Sequence, residues 1–224
     1  MNNKFVKKLR LDNDYSQEYV AKKIGISRTS YIAVEQGKKE LCLSEAEALS
    51  GLYHISIDDL VTNNKKKHAK YEQMLFAFLR ELDGDRKVPK TKLAKLLYFS
   101  DFAWFYFHHK SMSGLEYRKI AHGPVPDYYF RLIEELDGDG KIEIDPTEKG
   151  ALLISETRVG EKVGADLLDK KEKEMIKKIA ASWKDKSTKE IVDFAHSQIP
   201  YTFVEKGEII PYELITQEEP AHVY

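Results

Sequence analysis

His122 stands in KIAHGPVPDYYF, residues 119–130, with a glycine and two prolines between two runs that look regular. A histidine held this way can serve as a general acid or base, bind a metal, or simply mark a rigid turn. Catalysis needs more than one imidazole, and the chain offers no serine elbow and no glycine-rich phosphate loop. His108 and His109 are adjacent, so on a helix they diverge by about 100° and do not grip one ion together. Asp83–Gly84–Asp85 and the run Asp137 to Gly140 resemble calcium loops in composition only, because the bidentate glutamate at the required spacing is missing. Cys42 is the single cysteine, which excludes an intramolecular disulfide and a multi-cysteine zinc site. It reads as a small buried filler in a reducing cytoplasm. No catalytic residue, metal or cofactor is therefore expected. His122 reads as a structural or interface residue, and His196 as a packed histidine.

A second chemistry lies in Arg28–Thr29–Ser30. One guanidinium and two hydroxyls in a row can bond base edges or phosphates, provided a helix carries them into a groove. The charge distribution permits this without requiring it. Residues 1–64 carry nine Lys/Arg and nine Asp/Glu, Lys65, Lys66 and Lys67 add three positives, and residues 69–224 carry 24 basic and 28 acidic residues. No apolar run reaches membrane-spanning length and the first residues lack a signal-peptide core, so a cytoplasmic protein without a membrane partner is expected.

The elements that must position these groups can be read from periodicity and caps. Residues 61–70, VTNNKKKHAK, have no apolar period and mark a connector. The boundaries expected are a first domain over 1–62, a linker over 63–68 and a second domain over 69–224. In the first domain, Phe5, Val6 and Leu9 share a face. Ser16 caps a helix over 17–24 with Tyr19, Val20 and Ile24 inward, and Gly25 ends it. Ser27 caps the next helix, over 28–36, with Tyr31 and Val34 inward and Gly37 after it. Ser44 starts a fourth helix with Ala46, Leu49 and Leu52 inward, and Ser56 a fifth, ending at Leu60. Two short helices joined by Gly25–Ile26–Ser27 make a helix-turn-helix.

The stretch SQEYVAKKIGISRTSYIAVEQGKKE resembles the helix-turn-helix of the Xre/Cro repressor family, and the resemblance covers residues 4–61. In such a motif the second helix enters the major groove N-terminus first. Ser27, Arg28, Thr29, Ser30, Ile32 and Ala33 are then the positions facing bases and phosphates, with Ile32 suited to a thymine methyl. Lys38 and Lys39 follow as phosphate contacts. The resemblance further implies that Gln17 anchors on the backbone or first base and that Arg10 and Glu35 form a buried ion bridge. It also implies binding to double-stranded operator DNA as a homodimer on a palindrome.

The second domain is read as follows. Tyr71, Met74, Leu75, Phe78, Leu79 and Leu82 form a helical stripe. Thr91 caps a long helix, TKLAKLLYFSDFAWFYFHHK, apolar almost all round and therefore central, in which Asp101 needs a partner. EYRKIA is extended. HGPVP then launches a helix with Pro126 at its first position. KIEID and ALLIS make a small β-hairpin, and two amphipathic helices follow, the latter opened by a capping box from Ser187 to Glu190. The fold class expected is mainly α: a five-helix helix-turn-helix domain, then an α-rich α+β domain with a small hairpin.

KLLYFSDFAWFYFHHKSMSGLEYRKIAHGPVPDYYFRLIEEL resembles the signature of the Panacea, or SocA-like, domain, and DFAHSQIPYTF with GEIIPY resembles its C-terminal part. The resemblance spans about residues 70–215. It implies an antitoxin of a type II toxin–antitoxin system that neutralises a cognate toxin, encoded beside it, by direct binding. It also implies that the helix-turn-helix represses the chain's own operon. Trp104, His122, Tyr128 and Tyr129 are the candidate toxin contacts. The alternatives are a ligand-sensing transcriptional regulator without a toxin, and an adaptor that delivers a toxin to a protease.

Overall fold

The structure is a computed structural model that describes residues 3–53, 55, 57, 60, 65–82 and 87–224, with the backbone alone at residues 4 and 65. The expected start at Ser56, the linker asparagines Asn63 and Asn64, and the stop at Asp83–Gly84–Asp85 lie outside the described residues. The chain divides into two compact units, Met1–Lys66 and Lys67–Tyr224, and is mainly α-helical.

The first unit contains α1 (Asn3–Asp12), α2 (Gln17–Lys23), α3 (Arg28–Glu35) and α4 (Leu43–Tyr53). Its core is Phe5, Val6, Leu9, Val20, Ala21, Ile24, Tyr31, Val34, Ala46, Leu49, Tyr53 and Leu60. Tyr19, expected inward, is exposed and lies against the Tyr15 ring at 4.7 Å. Ala21 takes the inward place beside Val20, since α2 is only two turns long and one narrow stripe suffices. Cys42 is likewise exposed and is not a core filler. It precedes α4, where its N–H donates to Glu45 at 2.9 Å, so its place is a helix entry and the helix begins one residue before Ser44.

The second unit is built around α6 (Lys90–His108), whose residues from Lys92 to Trp104 are all buried. The same core holds α5 (Lys65–Glu81), α7 (Tyr128–Gly138), α8 (Lys170–Trp183) and α9 (Thr188–Ser197), and the short α10 (Ile199–Thr202) packs on α9. The first residues of α5 were expected to be linker. Lysine is a good helix former, and the His68 ring stacks on Tyr128 at 3.6 Å, so residues 65–68 begin the helix. Likewise α6 starts after Pro89 without a side-chain cap, and Thr91 lies inside it.

Two small antiparallel sheets complete the unit. One has the order β1 (Val88–Pro89), β5 (Leu152–Glu156), β4 (Ile142–Pro146). The other has the order β3 (Gly123–Val125), β2 (Tyr117–Ile120), β6 (Ile209–Ile210). The second sheet corrects the reading of HGPVP. The segment does not merely end an extended piece: Ile120 pairs with Gly123 and Arg118 with Val125, so Ala121 and His122 are the tip of a hairpin. Gly123 makes the reversal possible at φ +96°, a conformation that side-chain-bearing residues rarely adopt. Pro124 sits on an edge strand, where its missing N–H costs no ladder bond. Pro126 precedes α7 by two residues, and its carbonyl accepts from Tyr129 N–H at 3.0 Å.

Candidate functional site

The helix-turn-helix is assembled by three local devices. The Ser16 hydroxyl accepts from Tyr19 N–H at 3.1 Å and Ser27 from Ser30 N–H at 3.1 Å, so each helix begins with its orphan donors partly satisfied. Gly25, at φ +76° with open space around it, reverses the chain between them. Third, Arg10 on α1 and Glu35 at the end of α3 form a forked ion pair, Nε to Oε1 at 2.6 Å and Nη2 to Oε2 at 3.3 Å. Both side chains are largely buried, 11% and 4% exposed. Burial by itself would raise the Glu35 carboxyl, but the bonds from Arg10 and Gln17 outweigh it and hold the group below the usual carboxylate range. The Arg10 guanidinium is raised in turn by that bond.

Along α3, Arg28 and Thr29 are fully exposed at the first turn, Ser30 is half-buried, and Ile32 and Ala33 are half-buried further on. Ser27 and Ser30 also bond each other, Oγ to Oγ at 3.0 Å, so Ser27 acts first as the cap of the helix. Lys38 is exposed beyond the helix, whereas Lys39 is held by Glu45 at 3.1 Å. The Gln17 amide nitrogen donates to Glu35 Oε2 at 2.9 Å, which makes it a third member of the pair. A glutamine at the head of α2 and a carboxylate at the foot of α3 meet because the two helices cross at the glycine turn. Of the positions expected to face a nucleic acid, Ser27, Arg28, Thr29 and Lys38 are exposed.

In the second unit, the four candidate contacts separate. Trp104 is 4% exposed and Tyr129 1% exposed, both inside the core, and neither presents a surface anchor. The all-round apolar character of α6 and the Tyr129 hydroxyl bond to Lys90 carbonyl at 2.6 Å account for this. Tyr128 is half-buried between His68 and Arg131. His122 is exposed at the hairpin tip. His196 stacks flat on Tyr201 with centroids 4.2 Å apart.

Asp101 finds its partners in the loop after α6. It accepts from Ser113 N–H at 2.7 Å, Ser113 Oγ at 2.6 Å and Tyr117 Oη at 2.9 Å. Burial pushes its carboxyl up to about 6 against the downward pull of those donors. One buried group escaped the reading of the sequence. Lys95, 1% exposed, donates to the Pro124 carbonyl at 2.8 Å and so joins the KLLYF helix to the HGPVP hairpin. The signal was present: a lone lysine on an otherwise apolar stretch of helix is either a snorkelling surface group or a buried tie. Among the described residues no group of His, Cys, Asp and Glu is placed to hold a metal ion, and no helix is long and apolar enough to cross a membrane.

Two capped helices crossing at a glycine, the second presenting an arginine at its first turn, define a helix-turn-helix within the first unit. Comparison with known families agrees: residues 6–60 match the helix-turn-helix family, and residues 93–200 match the domain described as Antitoxin SocA-like, Panacea domain. The chain joins a helix-turn-helix domain to a SocA-like Panacea domain. The cryptic phage CTXphi transcriptional repressor RstR of Vibrio cholerae is 28% identical over 82 residues, covering 37% of this chain and 74% of that protein. No solved structure matches the chain. Neither matched family is an enzyme family.

Proposed function

We propose that this chain is the antitoxin of a type II toxin–antitoxin pair and the repressor of its own operon. The observation that carries the reading is the union, in one chain, of the Panacea domain over 93–200 with a helix-turn-helix whose Arg28 and Thr29 are exposed. The Panacea domain supplies the protein-binding activity and blocks the toxin by complex formation. The helix-turn-helix binds the operator as a dimer on two half-sites, because one such domain covers a single half-site. Arg28 reads a base edge, Thr29 supports it, and Lys38 holds a phosphate.

The test is a growth assay in which the adjacent gene is induced alone, with the full chain, and with its Arg28→Ala variant. Growth arrest by the neighbour alone and rescue by both forms supports neutralisation through the Panacea domain. Arg28→Ala weakens operator binding by about 1–3 kcal/mol while rescue persists. A harmless neighbour removes the antitoxin reading and leaves a DNA-binding regulator.

A further inference from the structure

Among the described residues Lys95 is the most buried cation of the second unit. Its Nζ bonds one carbonyl, Pro124 at 2.8 Å, and among the described residues no carboxylate pairs with it. Gly123 lies directly on the amine: a Cβ there would stand 2.7 Å from Lys95 Cε and 2.8 Å from Nζ. The same point is 3.1 Å from His196 Nε2, a buried atom with no hydrogen-bond partner of its own. The charged and aromatic groups around His196 come from several elements. They are Lys119 from β2, His122 from the hairpin turn, Asp193 from α9 and Tyr201 from α10. Lys92, a turn away on α6, is bonded to the carbonyls of Lys184 and Lys186. Asp193 is the only acid among them, and it is exposed. Charging a buried amine in such company is expensive, because nothing there neutralises it.

The end of β2 that leads into the tip is tied to residues 201–208, and Arg118 beside it forks onto Asp127 and bonds the Gly207 carbonyl. Lys119 N–H donates to Glu208 carbonyl at 2.9 Å, Gly207 N–H to Lys119 carbonyl at 2.8 Å, and Tyr201 Oη to Ile120 carbonyl at 3.2 Å. Lys119 Nζ donates to Val204 carbonyl at 2.7 Å. We propose that the tip of the β2–β3 hairpin is a proton-operated latch, closed over an uncharged Lys95 and released when Lys95 and His196 take up protons. Release uncovers an amine, an imidazole and the face of Tyr201, two residues from Phe203, which is already 72% exposed.

Burial lowers the Lys95 amine from its ordinary 10.5 to about 7 in the closed form. Burial lowers His196 as well, and a charged Lys95 lowers it further. A base depressed in the closed state favours closure fully above its open-state value. That preference is lost as pH falls from about 10 toward 7, by up to tenfold per pH unit for one proton. The sensitive window therefore includes neutral pH.

Hydrogen exchange of the full chain between pH 7 and 9, corrected for intrinsic rates, tests the latch. The opening constant at the Lys119 and Gly207 amides should rise severalfold to tenfold per unit as pH falls. Amides within α5 should keep their protection, and Lys95→Met should abolish the slope. If Lys95→Met does not fold, the Lys95 Cε resonance of the wild type decides: titration near neutral pH supports the latch, titration with the surface lysines overturns it. Tip protection independent of pH, or the same slope in a folded Lys95→Met variant, overturns it too.

Discussion

Replacing Glu35 by alanine should nearly unfold the first unit and spare the second. The wild-type carboxylate receives both arms of Arg10, at 2.6 and 3.3 Å, and the Gln17 amide at 2.9 Å. Without it, the guanidinium keeps only the Tyr15 carbonyl at 3.0 Å, in a place where the two side chains are 11% and 4% exposed. Removing one partner of a buried pair costs about 3–5 kcal/mol, because the other charge stays desolvated. A unit spanning Met1–Lys66 has about 3–10 kcal/mol of total stability to lose. Each kcal/mol moves the midpoint of so small a domain by about 4–8 °C. In calorimetry of the full chain, the transition of the first unit should drop by more than about 12 °C or vanish, while that of the second unit stays. The double variant Arg10→Met/Glu35→Leu should recover most of the loss, since an apolar pair of similar volume avoids the desolvation. The pH dependence has a definite sign. Glu35 lies below its ordinary 4.5 in the folded state, so the pair's contribution is present above that value and is lost as pH falls through the folded one. The gap between wild type and Glu35→Ala should therefore narrow in acid. A loss under about 1 kcal/mol at neutral pH, or no recovery in the double variant, refutes the buried pair.

Three further outcomes follow from the geometry. Gly25→Ala should destabilise the first unit by about 1–2 kcal/mol by denaturant titration, the cost being left-handed backbone alone, because nothing stands within 4 Å of the added carbon. Asp101, raised from 3.8 to about 6 by burial, should cost the second unit about 3 kcal/mol as pH rises through that window. The difference in unfolding free energy between wild type and Asp101→Asn should carry that slope, and a flat difference would contradict it. Ser187→Ala removes one half of a reciprocal cap, in which the hydroxyl accepts from Glu190 N–H at 3.2 Å and the Glu190 carboxylate accepts from Ser187 N–H at 2.8 Å. It should cost about 1 kcal/mol in the unfolding of the second unit.

The first unit was legible because its signals are local. Ser16, Gly25 and Ser27 act on residues two to four positions away, so their roles follow from order along the chain. What was missed depends on residues far apart. The bond from Gln17 to Glu35 forms only where two helices cross. Tyr19 and Val20 are both apolar enough to fill a core, and crossing geometry alone selects Val20 and Ala21. In the second unit the apolar helix at 90–108 announced itself as central, yet Trp104 within it, a candidate contact, is buried. The strand at 123–125 did not announce itself, since three residues containing glycine and proline carry no period. Lys95 was overlooked because its partner, a backbone carbonyl at Pro124, has no signature in side-chain chemistry.

Cys42, the only thiol of the chain, stands exposed at the entrance to α4. A maleimide dye will therefore attach at one position without any engineering of the sequence. That position lies in the unit that carries Arg28 and Lys38, three residues after Lys39. Fluorescence anisotropy of the labelled native chain thus tests the proposed operator binding directly. The same label reports separately on the first unit while the second is titrated, heated or loaded with a protein partner.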